Sequence, residues 1–106
     1  GKSVRVPPYL IDDAATRNDL ARYYDEIHRM DQQIRDMIAI LEQKGQLENT
    51  IIVFMTDNGF PFARGKGSLY DSGIQTPFIW SWKNKIKSNT TYHGLTSTID
   101  LMPTLL

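Results

Sequence analysis

The sequence predicts an α/β fold, on the basis of one long helical pattern and two strand-like runs. From Thr16 to Lys44 apolar residues recur at steps of three and four, the spacing of one face of an α-helix. Ile51–Met55 and Pro77–Trp82 are apolar, β-branched and aromatic runs of strand length. The apolar helical positions are Leu20, Tyr23, Tyr24, Ile27, Met30, Ile34, Met37, Ile38 and Leu41.

Both ends of the long helix carry a signal. Thr16 followed by Asp19 resembles a capping box, which would place the amino-terminal cap at Thr16. Gly45 stands where a residue in the left-handed conformation commonly ends a helix. At about 1.5 Å per residue the helix would be on the order of 40 Å long. A second, short helix is expected near the end of the chain, capped near Asp100 and with Pro103 in its first turn.

The composition of the first strand also predicts how deeply it is buried. Ile51–Met55 is apolar at every position, which is typical of a parallel strand buried on both faces beneath helices. A long helix that leads through a short loop into such a strand is half of a βαβ unit. The chain ends on Leu105 and Leu106 with no polar exit, so we expect a truncated domain. The isolated chain is then expected to self-associate through its exposed apolar area, which light scattering would detect.

The composition excludes several classes of function. The chain has 106 residues, enough for one small domain, and its 12 basic and 12 acidic residues cancel. A neutral chain offers no general basic surface for nucleic acid or for an anionic membrane. The sequence contains no Cys, which excludes disulfides and thiolate metal sites.

A first candidate site follows the buried strand directly, at Asp57 and Asn58. Ligands of open α/β sheets gather at the carboxyl ends of strands. A carboxylate beside an amide oxygen can ligate a hard cation such as Ca²⁺. The alternative is that Asn58-Gly59 forms a two-residue hairpin turn. A hairpin should be followed at once by an alternating strand, and residues 60–65 do not alternate, which favours a ligand site.

A second candidate is the basic segment Arg64–Ser68. Glycines on both sides of Lys66 would let the backbone and the ammonium group approach an anion closely. The alternative is a solvated basic loop. A Walker A phosphate loop is excluded, because the spacing from Gly59 is too long and Gly67 stands where Ser or Thr must bind Mg²⁺.

Together these segments resemble a known family. Residues 56–59 (Thr-Asp-Asn-Gly) and then residues 65–77 are similar to a conserved block of the sulfatases, within the alkaline phosphatase superfamily. Residues 7–10, 23–27 and 97–106 are also similar to that family, in the same order. The resemblance implies that residues 1–106 are the carboxyl-terminal part of a sulfatase catalytic domain. The expected fold is a fragment of an alkaline-phosphatase-like sheet covered by helices, with one long amphipathic helix.

The resemblance also implies a function and a set of site residues. It implies a metal-dependent hydrolase of sulfate esters or sulfamates, in which Asp57 and Asn58 ligate a divalent cation, Ca²⁺ in most members. It implies that Lys66 contacts the sulfate and helps to neutralise the leaving oxygen. The implied partner is a sulfated small molecule or carbohydrate, and the implied location of the longer protein is periplasmic, secreted or lysosomal.

The departures from the family pattern are equally informative. The family nucleophile is a formylglycine made from Cys, or from Ser in some members, in a Cys/Ser-x-Pro-x-Arg motif. This chain has no Cys, and no Ser of the chain precedes a Pro by two positions. The early Asp pair that completes the metal site is also absent. We therefore expect the formylglycine upstream in a longer protein. With two or three of the about six to eight oxygens that Ca²⁺ prefers, the chain alone should bind it weakly.

Two alternatives remain open on the sequence. A phosphate or phosphonate ester hydrolase of the same superfamily would need an upstream Thr or Ser as its nucleophile. A non-enzymatic, helix-mediated interaction module is suggested by Leu20, Ile27, Ile34 and Leu41, which lie seven residues apart as in a coiled coil. That module would leave the Asp-Asn-Gly and Gly-Lys-Gly motifs without a role.

The missing nucleophile yields the first testable prediction. The isolated chain should not hydrolyse an aryl sulfate, because a metal site and a Lys cannot form the covalent sulfate intermediate without a nucleophile. The measurement is the release of 4-nitrophenol from 4-nitrophenyl sulfate, compared with a control that contains Ca²⁺ alone. Turnover above that control would contradict the prediction.

Overall fold

The computed structural model describes residues 3–106, which divide into two compact units between Asn49 and Thr50. The first unit contains helix α1, Ala14–Gln43, and a 3-10 turn, Leu47–Asn49. In chain order, the second unit contains strand β1 (Ile52–Met55), helix α2 (Asp71–Ile74), strand β2 (Phe78–Ser81), a 3-10 turn (Thr98–Asp100) and helix α3 (Leu101–Leu105). The predicted mixture of helix and strand is confirmed. No helix in residues 3–106 is both long and apolar enough to cross a membrane.

Helix α1 begins two residues earlier than the sequence predicts. Its cap is Asp13, whose carboxylate accepts a hydrogen bond of 2.8 Å from the backbone N–H of Thr16. The predicted cap at Thr16 is therefore wrong. Asp13 has the extended backbone that a cap residue needs, and Thr16 lies one turn further on as the donor that is being capped.

The carboxyl end of α1 confirms the role predicted for Gly45. Gly45 has a φ of 65°, and its N–H donates to the carbonyl of Glu42 at 2.9 Å. The N–H of Gln46 donates to the carbonyl of Leu41, also at 2.9 Å. This pair of bonds is the Schellman motif, which satisfies carbonyls that the helix itself leaves without donors.

The segment before α1 is held to its first turn by Arg17. The guanidinium donates to both carboxylate oxygens of Asp12, at 2.5 and 2.7 Å, and to the carbonyl of Val4 at 3.0 Å. The hydrogen bond to Asp12 raises the pKa of Arg17 above its ordinary value. This fork fixes where the extended residues meet the helix.

The apolar face of α1 is only partly buried. Leu20 is fully buried, and it is the only side chain of residues 3–106 that is. Further along the helix Met37 is 57% exposed, whereas Ile34, Ile38 and Leu41 are half-buried. The predicted helix is thus confirmed, whereas full burial of its apolar side is reached only at Leu20.

The two strands form an antiparallel pair. Ile52 pairs with Ser81, and Met55 pairs with Phe78. Both strands lie inside the predicted runs, but a parallel arrangement is not what the described residues show. The segment between the strands, residues 56–77, begins and ends at the same end of the sheet, so the chain must return in the opposite direction.

The predicted burial of the first strand on both faces is also not seen in this unit. All four residues of β1 are half-buried, and Ile79 of β2 is 58% exposed. Phe78 and Trp80 share the other face of β2, with ring centroids 5.8 Å apart in an edge-to-face arrangement. Successive side chains point to opposite faces of a strand, so two strands alone cannot enclose an apolar run.

The turn before α3 refines the predicted cap at Asp100. Ser97 and Asp100 form a reciprocal capping box, in which the N–H of Ser97 donates to the Asp100 carboxylate at 2.7 Å. Asp100 therefore acts at the third position of the box, and Ser97 precedes the first turn. Pro103 lies inside α3, near the start of the helix as predicted.

The cap of α1 predicts a pH dependence. The hydrogen bonds from Thr16 lower the pKa of Asp13 below its ordinary value of 3.8. A lowered pKa in the folded state means that the stabilisation is complete above about 3.8 and is lost as the pH falls through the folded-state value. Asp13→Asn keeps a capping oxygen that does not titrate. The thermal midpoint, followed by circular dichroism from pH 7 to pH 2, should fall more for the wild type than for Asp13→Asn. Parallel curves for the two proteins would contradict this role of Asp13.

Candidate functional site

The segment between the strands, here called the glycine-rich loop (residues 56–77), carries all three predicted site residues. It leaves β1 after Met55 and returns to β2 at Phe78, which pairs with Met55. Asp57 and Asn58 come within three residues of the end of β1, and Lys66 lies midway round the loop. The loop therefore presents these side chains beyond one end of the sheet.

The Asn58-Gly59 step does not form a two-residue hairpin. The N–H of Gly59 donates to the carbonyl of Gly73 at 2.9 Å, and the N–H of Phe60 donates to the carbonyl of Ser72 at 3.2 Å. The chain after Asn58 thus pairs with the far side of the glycine-rich loop. The hairpin alternative is wrong, because the partner strand would have to follow Gly59 directly.

Asn58 is held by short local hydrogen bonds. Its side-chain amide nitrogen donates to the carbonyl of Gly59 at 2.7 Å, and its own carbonyl accepts from the Thr56 hydroxyl at 3.1 Å. A cation would use the amide oxygen of Asn58, which neither bond involves. Asn58 is half-buried and the neighbouring Asp57 is exposed. The two side chains fit a hard cation by their chemistry, and they are two ligands of a larger set.

The rest of such a set is not present nearby. In residues 3–106 no group of three or more His, Cys, Asp or Glu side chains lies close enough together to hold a metal ion. Ca²⁺ takes about six to eight oxygen ligands. A cation held by Asp57 and Asn58 would therefore need further ligands from other residues or from water.

Lys66 is tied by its backbone to the segment that follows Asn58. Its N–H donates to the carbonyl of Phe60 at 2.9 Å, and the side chain is exposed. Phe60 is two residues after Asn58, so one hydrogen bond links the candidate sulfate contact to the candidate metal ligands. Sequence spacing alone separates Lys66 from Asn58 by eight positions.

Three glycines make this linkage possible, for a reason that the sequence did not reveal. A Cβ atom on Gly65 would lie 1.9 Å from the carbonyl oxygen of Phe60, and one on Gly59 would lie 1.9 Å from that of Ser72. A Cβ atom on Gly73 would lie 2.4 Å from the carbonyl oxygens of Gly65 and Ser68. From the sequence, Gly65 was expected to let an anion approach the backbone. In the structure, Gly65 lets the backbone carbonyl of Phe60 approach.

Several contacts of the loop were not indicated by the sequence. Arg64 has a φ of 61°, and its carbonyl accepts hydrogen bonds from the hydroxyls of Ser68, at 2.7 Å, and Ser72, at 2.5 Å. The guanidinium of Arg64 lies over the ring of Tyr70, 5.1 Å from its centroid. These contacts join positions four to eight residues apart with no regular period, so no pattern in the sequence indicates them.

A cavity of about 490 Å³ opens within the same unit, at the end of the sheet where the loop begins. Asp57, Asn58 and Lys66 do not line it. Its wall is of mixed polarity and includes Met55, Asp71, Ile74, Thr76, Phe78 and Ser97. The cavity therefore lies near the candidate site, but the three predicted site residues are not part of its wall.

Comparison with known proteins decides the family. The family model described as Sulfatase matches residues 5–106. The chain belongs to the sulfatase family. This agrees with the resemblance of residues 56–59 and 65–77, and it extends the match across the described chain. No solved structure matches the chain.

The curated relatives of this sulfatase chain are much longer proteins. An ulvan-active sulfatase of Formosa agariphila is 42% identical over 101 residues, covering 95% of this chain and 17% of that protein. The human N-sulphoglucosamine sulphohydrolase is 35% identical over 104 residues, covering 97% of this chain and 21% of that protein. An arylsulfatase of Clostridium perfringens is 31% identical over 113 residues, covering 24% of that protein. The chain spans about a fifth of the length of the curated relatives it matches.

Because Gly65 lies so close to a carbonyl oxygen, adding a single methyl group there should lower the stability strongly. Gly65→Ala should lower the free energy of unfolding by about 3 kcal/mol or more, because the new Cβ would overlap a backbone carbonyl that cannot rotate away. The neighbouring Gly67→Ala is a matched control: its φ is 84° but nothing lies within 4 Å of the new methyl. That control should cost about 1 kcal/mol, the usual penalty for a side chain in the left-handed region. The measurement is urea unfolding of the two variants, and equal losses would contradict the role of Gly65.

Proposed function

We propose that this chain is part of a metal-dependent sulfatase that hydrolyses sulfate esters, with sulfamates as a related substrate class. The observation that carries the proposal is the hydrogen bond between Lys66 and Phe60. It joins the segment of Asp57 and Asn58 to the segment of Lys66, within a chain that belongs to the sulfatase family. A cation and an ammonium group can then act on the same sulfate group.

The proposed cation is Ca²⁺, held in part by the carboxylate of Asp57 and the amide oxygen of Asn58. Both are oxygen ligands of the kind that hard cations prefer. When bound, such an ion supplies Lewis-acid stabilisation of charge on the sulfate oxygens. The position of both residues directly after β1 supports this role, since ligands of α/β sheets gather at the carboxyl ends of strands.

Lys66 is proposed to contact the sulfate and to neutralise the leaving oxygen. An S–O bond to the alcohol breaks in the reaction, and the departing oxygen gains negative charge as it does so. An ammonium group already in place stabilises that charge without reorganisation. Two contacts hold the backbone of Lys66 in place for this task. Its N–H donates to the carbonyl of Phe60, and the preceding Gly65 packs against the same carbonyl.

The nucleophile is proposed to come from another part of a longer protein. The sequence has no Cys and no Ser in a Ser-x-Pro pattern, so it cannot provide the formylglycine that sulfatases use. The chain alone is accordingly proposed to be inactive. The half-buried β1 and the partly exposed apolar face of α1 support the same arrangement, because further strands and helices of an alkaline-phosphatase-like sheet would cover them.

The proposed substrate class is a sulfated carbohydrate or small molecule. The three relatives are named an ulvan-active sulfatase, an N-sulphoglucosamine sulphohydrolase and an arylsulfatase. These names favour sulfate over phosphate as the transferred group. A periplasmic, secreted or lysosomal location of the longer protein stays a prediction of the family resemblance.

Substitution of Lys66 in the full-length protein tests the proposal. Lys66→Ala should lower kcat for 4-nitrophenyl sulfate by about a hundred- to a thousandfold, the usual effect of removing one preorganised charge. It should leave the Ca²⁺ dependence almost unchanged, since Lys66 is not a ligand. Lys87→Ala removes another exposed charge of the same unit and should retain wild-type kinetics. If Lys66→Ala kept most of its turnover, Lys66 would have no place in the active site.

Substitution of Asp57 should behave differently from that of Lys66. Asp57→Ala removes a proposed metal ligand, so activity should fall at low Ca²⁺ and recover in part at high Ca²⁺. The measurement is steady-state kinetics across a Ca²⁺ titration. A loss that excess Ca²⁺ does not reduce at all would argue against Asp57 as a ligand.

A further inference from the structure

Arg64 has a backbone conformation that its residue type does not favour. Three residues other than glycine have a positive φ in the described part of the chain: Arg64, Asn84 and Asn89. Asn enters the left-handed region readily because its short polar side chain bonds locally, whereas Arg gains nothing of that kind. The glycine-rich loop uses Gly at four other positions, so a glycine at position 64 would meet the backbone requirement more easily.

The loop holds this unfavourable conformation from two sides. The Arg64 carbonyl accepts hydrogen bonds from the hydroxyls of Ser68 and Ser72, at 2.7 and 2.5 Å. The next residue, Gly65, is packed against the carbonyl of Phe60 and is buried. The position of Arg64 is therefore fixed relative to Lys66, two residues further on. Strain that is held in this way is common where a side chain has a task in binding.

The side chain of Arg64 is held above an aromatic ring. Its guanidinium carbon lies 5.1 Å from the centroid of Tyr70, and both residues are exposed. An aromatic ring engages the face of the guanidinium plane. Carboxylates and sulfates are bound by the N–H groups at its edge. The contact with Tyr70 can therefore hold the side chain in place while an anion binds to it.

Arg64 and Lys66 are the two basic residues of the glycine-rich loop. Its two acidic residues, Asp57 and Asp71, lie outside residues 58–70. The proposed function assigns Lys66 to the sulfate that is removed, and it leaves Arg64 without a role. We propose that Arg64 is a specificity-determining residue that binds a second anionic group of the substrate, a sulfate or a carboxylate on the same or the next sugar. This inference rests on the proposed sulfatase function.

The test uses the full-length protein with 4-nitrophenyl sulfate, which has one anionic group, as the substrate. Two inhibitors serve as probes: sulfated maltotriose, which carries sulfates only, and trigalacturonate, which carries carboxylates only. Arg64→Gly removes the side chain and suits the positive φ, so the loop should keep its conformation. Arg64→Lys keeps the charge and loses the planar fork.

Arg64→Gly should raise the inhibition constant of at least one probe by about 10- to 100-fold, the usual effect of losing a charge-assisted hydrogen bond. The kcat and KM for 4-nitrophenyl sulfate should change by less than about twofold, since that substrate has no second anion. Arg64→Lys should recover part of the affinity. The probe whose constant shifts identifies the second group as sulfate or carboxylate. Lys87→Ala, which removes the same charge elsewhere in the unit, should shift neither constant.

Three outcomes would overturn the inference: unchanged inhibition constants in Arg64→Gly, an equal shift in Lys87→Ala, or a parallel fall in kcat/KM for 4-nitrophenyl sulfate. A wild-type protein that does not hydrolyse 4-nitrophenyl sulfate would instead count against the proposed function. Calorimetric binding of the two probes to the wild type and to Arg64→Gly then decides the inference separately, and binding that does not depend on Arg64 would overturn it.

Discussion

The approach of the backbone to itself at Gly65 and Gly59 is the constraint on which the candidate site depends. Each contact brings a glycine Cα against a carbonyl oxygen, so close that a Cβ would lie 1.9 Å from that oxygen. With these contacts in place, the backbone of Lys66 is hydrogen-bonded to Phe60, and Phe60 to Ser72. The loop is thus organised largely by main-chain groups, and the side chains of Asp57, Arg64 and Lys66 are exposed.

The exposure of the charged groups supports the proposal that they act within a longer protein. Asp57 and Lys66 are both exposed, and charges in water interact weakly because the solvent screens them. Electrostatic catalysis is strong where water is excluded and the charges are fixed in advance. The loop supplies the fixed backbone. The exclusion of water, the nucleophile and the remaining metal ligands are proposed to come from other parts of a longer sulfatase. The chain spans about a fifth of the length of the curated relatives it matches.

The burial pattern supports the same view of the chain. Leu20 is the one fully buried side chain of residues 3–106, although 41% of the sequence is hydrophobic. An apolar helix face and a continuous apolar strand are typical of elements that neighbouring strands and helices cover. A small unit has few such neighbours and buries less of its apolar surface. The long helix keeps its period, caps and length regardless, because these depend on contacts within a few residues along the chain.

The sequence by itself determined the features that depend on local spacing: one long helix, predicted over residues 16–44 and found at residues 14–43, its end at Gly45, both strands, and the order of Asp57, Asn58 and Lys66. Tertiary structure alone decided the features that depend on contacts between distant residues. It made β1 and β2 antiparallel, because the loop returns to the end of the sheet that it left. It gave Gly65 a role in backbone packing, and it placed two serine hydroxyls on the Arg64 carbonyl. Such contacts have no period along the chain, so only the folded backbone can show them.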